Sequence, residues 1–250
     1  MESSMETLME KKPLKIIMLI LSSDTDPIYT QLQESWKVFM KKHPQIDCWF
    51  YKADPTLEEE YMFVDDYTLK VKCEDGYGKL YTKMIKALKA IEAEIGLDKY
   101  DYFCRPNESS FFIFDRYLEY LQDKPRTNVG IGKYGSHQGV PFLSGCGFTL
   151  SMDVVKSMIE LNQKDYIVDD VTVGIVLKKL NVKLIHYFHF IIDSETKHRF
   201  LPEIMDDDTI FHIRCKHEWP YPLLRHLDVK IHKKLAELFY RRIKTFSLDV

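Results

Sequence analysis

With 250 residues, 45% of them apolar and 13% aromatic, the chain can build one large packed core. Its 35 basic and 38 acidic side chains are interspersed and leave a formal charge of -3, which excludes the electrostatic footprint of a nonspecific nucleic-acid binder. Five cysteines (Cys48, Cys73, Cys104, Cys146, Cys215) contain no CxxC pair, so they read as buried free thiols in a reducing compartment, not as a disulfide frame or a zinc site.

The polar, charged start of the chain, residues 1–13, is expected to be a flexible lead, and residues 14–250 a single domain. The apolar run Leu14 to Leu21 is too short to span a bilayer. With no secretory or anchoring signal, the expected location is a cytoplasm, the host's for a viral chain, without membrane insertion. Leu14 to Leu21 is instead a parallel central strand, continuous and rich in β-branched residues, as burial on both faces requires.

Ile28 to Lys42 carries Leu32, Trp36, Phe39 and Met40 at helical spacing and stops before Pro44, and Ile46 to Tyr51 returns to extended structure, completing a β-α-β unit. After an acidic, turn-rich stretch from Asp54 to Asp66, a short strand is expected at Thr68 to Lys72. Leu80, Met84, Leu88, Ile91 and Ile95 then mark one face of a helix ended by Gly96. A strand at Tyr100 to Cys104 follows, and Ser109 or Ser110 is positioned to cap a helix running to Leu121. Val129 to Gly132 reads as a strand, Gly135 to Pro141 as a mobile connection, and Phe142 to Ser151 as a strand broken by glycines. Two helices (Ser151 to Leu161, Val168 to Leu180) precede a strand at Val182 to Phe188. The stretch Tyr221 to Thr245 has a helical pattern through Leu224, Leu227, Ile231, Leu235, Leu238 and Ile243, with an apolar face for the domain or for a second copy of the chain.

The expected class is therefore α/β with a mixed, mainly parallel central sheet, and ligands in such sheets bind beyond the carboxyl ends of the strands. The first loop to consider is Ser22-Ser23-Asp24-Thr25-Asp26, whose hydroxyls and carboxylates suit either a nucleoside or the cap of the following helix. The second is Arg105-Pro106-Asn107-Glu108, where a cation beside a rigid turn suits phosphate oxygens or pairs with a nearby carboxylate. In the third, Gly145 and Gly147 bracket Cys146 and allow a close backbone approach, the wall of a pocket. Asp169 and Asp170, at a helix start, offer a general base or an N-terminal helix charge. His212, Arg214 and Lys216 alternate along an extended segment, a row that can clamp a diphosphate, hold a metal through His212, or simply stand on a solvated edge strand.

From Leu14 to Lys216, and most clearly in Phe142 to Ser151 and Asp169 to Gly174, this order of elements resembles the GT-A fold glycosyltransferases. The nearest are the beta-1,3-galactosyltransferase and Fringe group and related proteins of large DNA viruses and bacteria. The resemblance implies transfer of a sugar from a nucleotide-sugar, UDP-linked in that group, to a hydroxyl of a glycan or other acceptor, with inversion. Asp170 matches the family's catalytic base, and Asp169 stands where the family has Glu. Nucleotide-sugar contacts would come from Ser22, Ser23, Asp24, Arg105, Asn107, Gly145, Cys146, Gly147, His212, Arg214 and Lys216.

The family's metal-binding Asp-x-Asp is replaced by Arg105-Pro106-Asn107. Two solutions follow for the Mn or Mg that the family uses: an ion held by Asn107 or Glu108 with His212, or no ion, with Arg105, Arg214 and Lys216 neutralising the leaving diphosphate. Loss of both aspartates favours the second. The rival readings are a retaining transferase and a catalytically silent domain that binds a nucleotide or glycan.

Overall fold

The computed structural model describes residues 13–161, 163–166, 168–193, 201–217 and 225–240. The lead through residue 12 and the helix positions Leu224 and Ile243 lie outside these residues. The central strand β1 (Ile16–Leu21) is parallel to β2 (Ile46–Ala53) on one side and to β5 (Tyr102–Pro106) on the other. With β3 (Tyr61–Phe63), β4 (Thr68–Val71), β7 (Val129–His137), β8 (Val140–Ser151) and β9 (Lys183–His186) it forms an eight-stranded sheet of order β3-β4-β2-β1-β5-β8-β7-β9. The sheet is mainly parallel, with β3, β5 and β7 meeting their neighbours β4, β8 and β8 antiparallel.

Helices cover both faces. On one side β1 sends Met18 and Ile20 into a core with Trp36 of α1 (Pro27–Lys37), Tyr117 of α3 (Phe114–Gln122) and Ile231 and Leu235 of α7 (Arg225–Tyr240). On the other it sends Ile17 and Leu19 against Met84 and Leu88 of α2 (Leu80–Glu94), Val155 of α4 (Met152–Glu160) and Val173 of α5 (Asp169–Lys179). This is why Ile16 to Leu21 are all apolar: a two-sided strand has no solvent face. The C-terminal helix packs on α1 of its own chain, where His232 Nδ1 meets Ser35 Oγ at 2.8 Å.

Local signals account for several boundaries. Asp26 caps α1, its Oδ1 accepting from Ile28 N at 2.8 Å with Pro27 in the first turn. Gly96, at φ +81°, closes the turn after α2.

Three expectations need correction. Ser109 and Ser110 do not cap a helix: Ser110–Phe112 is a strand, β6, antiparallel to β11 (His212–Cys215), and α3 starts only at Phe114. Burial of Phe111 and Phe112 against Phe39, Tyr117 and His212 outweighs the capping signal. Gly135 to Pro141 is no mobile connection but the tip of a long β7–β8 hairpin, turned by Gln138 and Gly139 at φ +49° and +75°. Ser151 stands at the N-cap of α4 without capping it, because its hydroxyl bonds the backbone of Val129 instead.

The second sheet, β10 (Phe190–Ile192), β11 and β6, was expected only as a lone segment around His212. There β11 is the middle strand, not a solvated edge. Among the described residues no helix is long and apolar enough to cross a membrane.

Candidate functional site

The parallel order reverses beside β1, since β2 lies to one side and β5 to the other, and a crevice is expected where the loops leaving their carboxyl ends diverge. A cleft of about 620 Å³ opens there. It is lined by the loop after β1 (Ser22, Ser23, Thr25), the end of β5 and its loop (Arg105, Asn107, Glu108), the glycine segment of β8 (Ser144, Gly145, Cys146), the first turn of α5 (Asp169, Asp170) and Arg214 and Lys216 at β11. Segments from five regions of the sequence thus converge on one site.

Arg105 organises the inner wall. Its side chain is buried, and its guanidinium donates to the Asp169 carboxylate, the Gly145 carbonyl, Asn107 Oδ1 at 3.0 Å and the Tyr51 hydroxyl at 3.2 Å. Burial opposes its charge, but Asp169 and Tyr51 outweigh that and hold it protonated above its usual range. Of the two readings open for Arg105, pairing with a carboxylate is the one this geometry displays. Gly145 is glycine for the same reason, since a Cβ there would stand 3.0 Å from Arg105 Nη1 and 3.4 Å from Asp170 Oδ2.

Asp169 and Asp170 are thereby separated in role. Asp169 is buried in the ion pair, while Asp170 is half-buried in the cleft. Its Oδ2 accepts from Gly145 N at 3.2 Å and its Oδ1 from Val171 N at 2.9 Å, which aims the carboxylate without an ion-pair partner of its own among the described residues. Burial, and next the charge of Asp169, push its pKa up.

The loop after β1 meets a buried polar network. Ser22 Oγ and Gln33 Nε2 donate to Glu108 Oε1, and Lys52 Nζ bridges Gln33 Oε1 at 2.8 Å to Asp24 Oδ1 at 2.6 Å. Burial pushes the Glu108 carboxyl up to about 7. Asp24 is therefore held on Lys52 and is not among the residues lining the cleft, whereas Ser22 and Ser23 are.

Gly147 and His212 also lie behind the cleft wall. The His212 ring stacks on Phe112 with centroids 4.3 Å apart, and a Cβ on Gly147 would come within 2.7 Å of its Cε1. Arg214 and Lys216, two and four residues further, do reach the cleft, and Arg214 Nε is buried there without a partner among the described residues.

The residues at the end of β5 do not fit a hard divalent cation. Arg105 brings a buried guanidinium to that corner, Asn107 Oδ1 already accepts from it, and Glu108 is turned into the Ser22 and Gln33 network.

Several lining residues lay outside the sequence-based expectations. Lys83 Nζ, buried, donates to Asp75 Oδ1 at 2.8 Å and to the Ser22 carbonyl at 3.1 Å. Its signal was present, because Lys83 falls between Leu80 and Met84 on the apolar face of α2. Tyr77, 79% exposed at the cleft, and Arg225, at the start of α7, had no local pattern to mark them.

No protein-family model matches the chain, and no curated protein matches it in sequence. Among solved structures it is similar to a glycosyltransferase involved in the glycosylation of the major capsid of PBCV-1, at 11% identity over 88% of this chain and 99% of that one, with a TM-score of 0.45. It is also similar to mouse xyloside xylosyltransferase 1, at 7% identity over 80% and 97% of the two chains and a TM-score of 0.40. A third is a cytidylyltransferase from Leptospira borgpetersenii serovar Hardjo-bovis, at 11% identity over 91% and 96% and a TM-score of 0.39. Likeness at this level assigns no chemistry, which has to come from the site itself.

Proposed function

We propose that the protein is a GT-A-type glycosyltransferase that moves a sugar from a nucleoside diphosphate sugar to an acceptor hydroxyl, with inversion. The observation that carries this reading is the division of labour between Asp169 and Asp170. Arg105 neutralises the first, and the second faces the cleft with a raised pKa and, among the described residues, only backbone N–H partners. A carboxylate whose proton affinity is raised toward neutrality is a better general base, and Asp170 takes the proton as the acceptor oxygen attacks the anomeric carbon.

The rest of the cleft suits such a donor. Its volume is in the usual range for a small-molecule site, roughly 300–1,000 Å³. Arg214 and Lys216 supply positive charge where the leaving diphosphate becomes more negative, so they favour bond breaking over mere binding. Tyr77 offers an exposed ring for a nucleobase, and Ser22 and Ser23 line the cleft beside it.

Asp170→Asn tests the assignment. Turnover of the best donor found in a UDP-sugar screen should fall by roughly 10²–10⁴-fold, the ordinary contribution of a positioned base, while UDP affinity by calorimetry stays within about twofold. An equal loss in both would show that Asp170 holds the site together instead. UDP binding without transfer or donor hydrolysis across the screen would make this a silent binding domain.

A further inference from the structure

Behind the cleft wall three side chains from distant parts of the sequence meet: Cys146 on β8, His189 between β9 and β10, and His212 at the start of β11. All are buried, at 2%, 1% and 1% exposure, and one donor atom from each lies within 4.8 Å of the others. The Cys146 Sγ to His189 Nδ1 distance is 3.6 Å.

One tautomer of His212 satisfies its surroundings. Tyr187 donates its hydroxyl proton to the Gly147 carbonyl at 3.1 Å and touches His212 Nδ1 at 2.8 Å. Both contacts are satisfied when Nδ1 carries the imidazole proton and the tyrosine oxygen accepts it. The other nitrogen, Nε2, then has a bare lone pair, and it is buried without a partner among the described residues. A buried acceptor with nothing to accept keeps the desolvation penalty without any return, so its persistence calls for an occupant.

We infer that Cys146, His189 and His212 are the ligands of a borderline transition-metal ion of the zinc class. Thiolate and imidazole donors select zinc, cobalt or copper over magnesium and manganese. Zinc to nitrogen and sulfur distances of about 2.0–2.3 Å place tetrahedral ligand atoms about 3.5 Å apart, so the observed cluster closes around an ion by shifts of about an ångström or less. The supports are already in place. Phe112 stacks on the His212 ring, Tyr187 holds its second nitrogen, and Ser144 Oγ donates to Cys146 Sγ at 3.2 Å, which orients the sulfur. Gly147 has no Cβ where one would strike the His212 ring.

Binding replaces the thiol proton with the metal, releasing one proton per ion, and three protein donors leave a fourth position for water or an anion. The thiolate offsets one of the two metal charges, so the wall that Cys146 and Arg214 share gains one net positive charge. This ion is separate from the hard cation that the end of β5 does not accommodate, and the inference does not depend on glycosyl transfer.

The test uses the full chain, stripped with a chelator and titrated with zinc or cobalt. Expected are one equivalent of zinc retained through gel filtration, a rise in melting temperature, and for cobalt a thiolate-to-metal charge-transfer absorption with the strong visible bands of tetrahedral coordination. Cys146→Ser should abolish the charge-transfer band, and Tyr187→Phe should weaken zinc binding about 10–100-fold, as loss of an orienting partner does. Cys73→Ser, at a half-buried cysteine outside the cluster, should change nothing. The inference fails if the wild-type chain retains no stoichiometric zinc, if its cobalt spectrum shows no sulfur ligation, or if Cys146→Ser leaves that spectrum intact. The wild-type measurements decide the matter even if a variant does not fold, and none of these readouts uses enzymatic activity.

Discussion

Glu108→Gln should make the protein more resistant to unfolding at alkaline pH and no more resistant at acidic pH. Glu108 is 4% exposed, and its carboxyl is lifted from the ordinary 4.5 to about 7. Between those values the folded chain holds a proton that the unfolded chain has released. Stability therefore falls as pH rises through this window and levels off above it. The full difference is worth about 3 kcal/mol, most of it falling between pH 5 and pH 8. Glutamine keeps an oxygen for Ser22 and Gln33 but cannot ionise. Its amide nitrogen meets the Ser23 N–H that now supports the carboxylate, a pH-independent cost of roughly 1–3 kcal/mol. The quantity to measure is thus the change with pH in the stability difference between variant and wild type, from urea unfolding near pH 5 and near pH 8. Parallel profiles, agreeing within about 0.5 kcal/mol after a constant offset, would refute the assignment of a proton to Glu108.

Removing the cation of the inner wall by Arg105→Met should cost about 3–5 kcal/mol in urea unfolding, because Asp169 is left charged, buried and unpaired. The double variant Arg105→Met with Asp169→Leu should recover most of that loss, and a single-variant loss under about 1 kcal/mol would mean the pair is solvated. Gly174→Ala should destabilise by about 1–3 kcal/mol despite alanine's better helix propensity. Its Cβ would stand 2.5 Å from the Pro141 carbonyl oxygen and 2.7 Å from Phe142 Cβ, pushing α5 off β8. Since α5 carries Asp170, kcat should fall with stability, and an unchanged unfolding midpoint would show that the hairpin yields instead.

Much of the fold is legible in the chain because it follows from local periodicity. The uninterrupted apolar run ending at Leu21 announces a two-sided strand, and the spacing of Leu80, Met84, Leu88 and Ile91 announces a one-sided helix. The segments expected to carry chemistry do line one cleft: the loops after β1 and β5 leave parallel strands at the same end, and Gly145, inside the antiparallel β8 and not in a loop, reaches that end because Gly147 pairs with Pro106 where β5 finishes. Where local and tertiary signals disagreed, burial prevailed: Ser110-Phe111-Phe112 has the start of a capped helix but pairs with β11 because two phenylalanines enter the core.

Local pattern is enough for most helices and strands and for three of the segments that meet at the cleft, but not for β6 or for the cleft residues Tyr77, Lys83 and Arg225. Side-chain partners follow from packing alone. Arg105 and Asp169 are 64 residues apart, and whether that arginine meets a phosphate or a carboxylate depends on α5 docking against β8. Cys146, His189 and His212 show no metal-ligand spacing, because three different segments supply them and the folded sheets alone bring their donors within reach. Local patterns encode backbone preference through short-range sterics and solvent exposure, whereas a charge or a lone pair finds its partner through space, and that distance is set only when the layers pack.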